Sequence, residues 1–143
     1  EGVATREQSF IEAGRIARYR LDSYGARRLG LVTTGNAGGS RNVSVPGNRE
    51  GGLAALLDEM GEGFLVTELI GQGTNLMTGD YSRGAAGFWV SGGKIVHPVS
   101  EVTVAGNLRD MCANIVAIGD DVDERLGTRI GSVHIGRMTL AGD

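Results

Sequence analysis

Twenty-five of the 143 residues are glycine, against only two prolines, and the glycines sit between apolar runs. That placement constrains the fold more than any other feature. Glycine costs stability inside helices, but it serves wherever a chain must turn with positive φ or let two backbones approach closely. No three-residue period accompanies it, which excludes collagen. The pattern predicts many short strands joined by tight turns, hence a mainly antiparallel sheet.

The clearest case is "GFWVSGGKIVHP", Gly87 to Pro98. Two adjacent glycines between β-type runs specify a two-residue hairpin turn. An unbroken ladder from that turn sets Val90 opposite Ile95, Trp89 opposite Val96 and Phe88 opposite His97, with Pro98 ending regular pairing. The preceding "GDYSRGAAG" is polar and small, and reads as a loop. "SFIEAGRIARYRL" reads as a hairpin turning at Gly14, with Ala17, Tyr19 and Leu21 on one face and Arg18 and Arg20 on the other. "GFLVTEL", "SEVTVAG", "SVHI" and "RMTLAG" read as further strands.

Three short helices are expected. "DSYGARRLG" has Asp22 or Ser23 as N-cap and Gly30 just past its end. In "GLAALLDEMG", Leu53, Leu56, Leu57 and Met60 recur at helical spacing, and Gly61 closes the helix. "NLRDMCANIVAIG" opens on Asn107 as N-cap with Asp110 in its first turn, and Leu108, Met111, Cys112, Ile115 and Val116 form an apolar stripe. That stripe makes Cys112 a small core residue. The stretch from Thr33 to Gly52 is a long loop. The fold class is therefore α+β: a mainly antiparallel sheet with a few short helices packed on it. The length suits one domain, 1–143.

Composition excludes several functions. No apolar run is long enough for a membrane-spanning helix. The net charge is −3, with no basic stripe, which argues against direct nucleic-acid binding. One cysteine rules out an internal disulfide and suits a reducing compartment. Hydrolytic zinc needs clustered ligands, commonly two histidines on one helix face. Here His97 and His134 fall on separate predicted strands. No G-x-S-x-G elbow or P-loop occurs. Asp120, Asp121, Asp123 and Glu124 lie in "DDVDERLG", which lacks the order of a calcium loop and reads as solvated. Arg83, flanked by Asp80 and Glu101, is able to clamp a carboxylate bidentately, including a peptide C-terminus. It is also able to pair with Asp80 and hold the loop, and the residues alone favour that structural role.

The segments "LDSYGARRLG", "TTGNAGG", "VTELIGQGTNLMTGDYSRGAAGFWVSGGKIVHPVSEVTVAGNLRDM" and "IGSVHIGRMTLAG" together resemble the C-terminal domain of the TldD/PmbA family. The likeness is strongest to the PmbA branch, also called TldE and labelled a modulator of DNA gyrase. It implies a larger protein with a further N-terminal domain, so the chain reads as a fragment. It also implies a cytoplasmic heterodimer with a TldD-like subunit, or self-association, acting on small or unfolded peptides. Zinc is then expected in the TldD partner and no cofactor in this chain. The TldD branch carries an H-E-x-x-x-H motif outside this domain and a cysteine ligand near its C-terminus. The position matching that cysteine is Ile130, which cannot bind zinc. On this resemblance the chain is a non-catalytic partner, and Asp80, Tyr81, Ser82, Arg83 and Glu101 are its candidate substrate- or partner-binding residues. Two alternatives are an intrinsic metallopeptidase with its ligands elsewhere in the protein, and a direct modulator of gyrase.

Overall fold

The computed structural model describes residues 1–142, in two compact units that divide after Val43. In the first, β1 (Ile11–Glu12) and β2 (Arg15–Ile16) form a hairpin turning at Ala13 and Gly14, both with positive φ. It has only two paired positions, so Ala17 to Leu21 lie outside the ladder. Helix α1 (Ser23–Leu29) begins where Asp22 accepts from the Gly25 N–H at 2.6 Å, and ends at Gly30 in the left-handed region. Thr34 ties the next segment back, exchanging backbone and hydroxyl bonds with Leu21. The two-residue strand β3 (Val43–Ser44) falls at the division between the units.

The second unit holds α2 (Gly52–Met60), β4 (Gly63–Ile70), β5 (Asp80–Ser91), β6 (Lys94–Asn107), α3 (Leu108–Ala113), β7 (Ile115–Ile118), β8 (Thr128–Arg129), β9 (Val133–Ile135) and β10 (Thr139–Ala141). Its main sheet is four-stranded and antiparallel, in the order β10-β6-β5-β4, and β7 pairs separately with β9. Antiparallel strands with three short helices make the fold α+β, as expected. Ala85, Val102 and Val104 are the buried centre of the main sheet, with Phe64, Tyr81, Val99 and Met138 packed against them.

The turn at Gly92 and Gly93 forms as predicted, both with positive φ and Ser91 paired to Lys94. Five expectations need correction. "GDYSRGAAG" is the first half of β5 rather than a loop. Its small residues let β5 run as the second strand from one edge: a Cβ at Gly87 would overlap the Leu65 carbonyl oxygen of β4. The register slips by one after Val90, because Val96 bulges; Trp89 faces His97 and Phe88 faces Pro98. Pro98 does not end the strand. β10 covers β6 only at Thr103–Ala105, so Pro98 lies on an uncovered stretch of edge, where a missing N–H costs no ladder bond. Finally, the third helix stops at Ala113. The Asn114 backbone N–H and side chain both donate back to the Asp110 carbonyl, and the β-branched pair Ile115-Val116 goes into β7. Cys112 is exposed rather than core.

Glu101 sits in a second bulge of β6, opposite Ala86, with φ of +58°. A side chain in the left-handed region costs about 1–2 kcal/mol relative to ordinary strand geometry. The strain re-aims the Glu101 carboxylate out of the regular alternation.

Candidate functional site

The five candidate residues lie on two neighbouring strands. Asp80 opens β5 and is exposed; its carboxylate accepts from the Thr78 hydroxyl at 2.7 Å. Tyr81 turns inward onto the Ala85–Val102–Val104 centre. Ser82 is exposed, and its N–H donates to the Gly73 carbonyl at 2.7 Å. Arg83 is half-buried, faces Val104 across the ladder, and donates from Nη2 to the Leu69 carbonyl at 3.1 Å. Its Nε is shielded from solvent and has no partner.

Among the described residues, Arg83 forms no ion pair with Asp80 or Glu101; the ion pairs are Arg49–Glu59 and Arg125–Asp123. Asp80 therefore does not hold Arg83. The guanidinium is fixed at one nitrogen by backbone, and its remaining capacity suits a carboxylate. The candidates do not converge on one pocket. Tyr81 serves the core, Asp80 serves its turn, and Arg83 and Glu101 keep unsatisfied or exposed charge on adjacent strands.

The two edges of the main sheet differ. The uncovered part of β6 carries the Val96 bulge, Pro98 and the Glu101 bulge, three devices that blunt strand addition. β4 pairs with β5 on one side only, carries a single bulge at Thr67 and has no proline. β4 is the edge better able to accept another strand.

A second cluster centres on Asp121, which is exposed, as its reading as solvated expects, but whose carboxylate has bonds that the sequence does not reveal. Its Oδ1 accepts the Ser132 N–H at 3.0 Å and its Oδ2 the Ser132 hydroxyl at 2.7 Å. It also accepts from the Leu53 N–H at the start of α2, a helix whose N-cap, Gly51, has no side-chain cap. Burial pushes the Asp121 carboxyl up, but Ser132 and the backbone N–H groups outweigh it and hold the pKa below the usual range. Glycines close around this carboxylate. A Cβ at Gly131 would overlap the Gly119 carbonyl oxygen, one at Gly47 would do the same, and one at Gly52 would lie 2.8 Å from the Asp121 Cβ. The signal for this cluster was an isolated glycine in each of several distant segments, which no local pattern connects.

Among the described residues, no three of His, Cys, Asp and Glu gather closely enough to hold an ion. His97 faces Trp89 on the main sheet, His134 faces Ala117 on β9, and Cys112 is on α3. Ile130 is half-buried beside Gly131. These residues do not fit a hydrolytic metal. No helix among the described residues is long and apolar enough to cross a membrane.

The glycine-turned antiparallel sheet with its capped short helices defines the class: an α+β domain built around one long hairpin. The domain described as "PmbA/TldA metallopeptidase C-terminal domain" matches residues 1–142. The chain belongs to the PmbA/TldD family, as its C-terminal domain. It is 51% identical to Metalloprotease PmbA of Escherichia coli O157:H7, over 99% of this chain and 31% of that protein. It is 47% identical to the Metalloprotease PmbA homolog of Haemophilus influenzae, over 100% of this chain and 32% of that protein. A solved Thermotoga maritima structure, described as a proposed modulator of a DNA gyrase, superposes with a TM-score of 0.85 at 35% identity, over 98% of this chain and 34% of that one. The chain thus spans about a third of the length of these relatives.

Proposed function

We propose that this chain is the substrate- and partner-facing C-terminal domain of a PmbA-type subunit, which works with a TldD-like zinc peptidase on small or unfolded peptides. The observation that carries the reading is the pairing of an unblocked β4 edge with a residue set unsuited to metal. An extended peptide adds to such an edge through backbone hydrogen bonds, with no need for a ligand trio on the same chain. Zinc, in this reading, belongs to the TldD-like subunit. Arg83, anchored to β4 through the Leu69 carbonyl, lies one strand in from that edge and offers its unused donors to a carboxylate.

The test is peptide cleavage by a full-length PmbA-type protein reconstituted with its TldD-like partner in the cytoplasmic redox range. Arg83→Ala is expected to raise KM roughly tenfold, the worth of one charge-assisted contact, with kcat little changed. Unchanged partner binding and unchanged cleavage would remove Arg83 from the site. Chelator-sensitive cleavage by the PmbA-type protein alone would favour the reading in which it is itself the metallopeptidase, as its relatives' names have it.

A further inference from the structure

Strands β5 and β6 pair in three successive registers. The ladder is regular from Asp80 opposite Asn107 to Ala85 opposite Val102. From Gly87 opposite Val99 to Trp89 opposite His97 it has slipped by one residue, and at Val90 opposite Ile95 it has slipped by one more. Segment 97–99 is therefore bracketed by two bulges, one at Val96 and one where Ser100 and Glu101 together oppose Ala86. The second bulge is the strained one. Glu101 has φ of +58°, and every other positive φ among the described residues from Ser44 onward belongs to a glycine.

A one-residue slip of this segment would remove that strain. It would continue the regular ladder, with Glu101 opposite Ala86, Ser100 opposite Gly87, Val99 opposite Phe88 and Pro98 opposite Trp89. Glu101 would then take ordinary strand geometry, and Val96 and His97 would become the extra residues beside the Gly92-Gly93 turn. Two residues oppose the slip. Val99 packs on the Ala85–Val102–Val104 centre, and a one-residue slip turns it to the other face. Pro98 lacks a donor. The Ser82 N–H faces away from β6, to the Gly73 carbonyl, so by alternation Trp89 bonds toward β6 and Phe88 does not. Opposite Phe88, the proline nitrogen costs no ladder bond; opposite Trp89, it would leave the Trp89 carbonyl without its donor.

We propose that segment 97–101 of β6 is a register switch, which exchanges by a one-residue slip between the bulged ladder and one in which Glu101 pairs regularly opposite Ala86. The slip releases one left-handed residue and gives up one core contact and one ladder bond. These effects are of the same order, so the slipped register is a minor state within thermal reach. Glu101 leaves its re-aimed position in the slip, and Trp89 exchanges His97 for Pro98 as its cross-strand neighbour. A contact that grips Glu101 in one register shifts the population by its preference for that register. The inference rests on pairing within this chain and stands apart from the peptidase reading, because it needs neither peptide nor metal.

Trp89 is the only tryptophan of the 143-residue chain, so 5-fluorotryptophan labelling places a single fluorine on the switch. Fluorine NMR relaxation dispersion then reads microsecond-to-millisecond exchange at that site. Pro98→Ala, which supplies the donor missing from the slipped ladder, is expected to raise the minor population roughly fivefold. Val99→Thr, which weakens the core contact, should move it the same way. Glu101→Gly, which removes the left-handed penalty from the bulged ladder, should lower it roughly fivefold. The chemical shift of the minor state should differ from that of the urea-unfolded chain. Absence of dispersion in Pro98→Ala would overturn the proposal, as would Pro98→Ala and Glu101→Gly moving the population in the same direction. A minor state at the unfolded shift would also overturn it, because the exchange would then be local unfolding.

Discussion

Gly131→Ala is expected to lower the unfolding free energy by about 3 kcal/mol or more, at the upper end of what overpacking costs. The added methyl would overlap the Gly119 carbonyl oxygen, a backbone atom that no rotamer change can move aside. That carbonyl belongs to a residue whose own N–H donates to the Ser132 carbonyl at 2.8 Å, so displacing it strains the β7–β9 connection too. Gly38→Ala is the control. A Cβ there meets nothing within 4 Å and φ is not positive, so its effect should stay within about 0.5 kcal/mol. Urea unfolding at constant m-value reads both. Equal midpoints for the two variants would show that the glycine contacts are looser than described.

Asp121→Asn is expected to cost about 1–2 kcal/mol at neutral pH, the range for losing a helix N-terminal carboxylate with its charge-assisted bonds. The residue is exposed, and solvent screening keeps the figure at that level rather than higher. The pH dependence carries a sign. The folded-state pKa of Asp121 lies below its unfolded value, so its stabilisation is fully present above the unfolded pKa. It is lost as pH falls through the folded pKa. The variant's deficit should therefore be constant near neutrality and shrink in acid, where the wild type loses the same charge. A deficit that grows in acid would mean that the carboxylate does not act through its charged form.

The elements legible in sequence were those set by contiguous residues. The Gly92-Gly93 turn, the Asp22 cap of α1 and the Gly61 end of α2 each depend on two or three adjacent positions, and each is where the pattern puts it. What sequence missed needed long-range information. The Val96 bulge leaves apolar alternation looking intact, yet shifts Trp89 from Val96 to His97. The run "IVAI" has an apolar spacing that continues a helix as readily as it begins a strand, and only its partner β9 decides the matter. Small residues from Gly84 to Gly87 resemble a loop until β4 is known to lie against them, with Leu65 too close to Gly87 to admit a Cβ. At the candidate site, the residue types of Arg83 and Glu101 were readable, whereas the Leu69 anchor and the strained bulge were not. Family membership came from longer motifs, which record constraints that no local rule expresses.

We propose above that these residues shape a peptide- and partner-binding scaffold and leave hydrolytic zinc to another polypeptide. Equilibrium dialysis of the chain against zinc at submicromolar free metal, followed by elemental analysis, tests it most directly. The expected result is well below one zinc per chain, unaltered by His97→Ala, His134→Ala or Cys112→Ser. One tightly held zinc per chain, released by any of those substitutions, would contradict it.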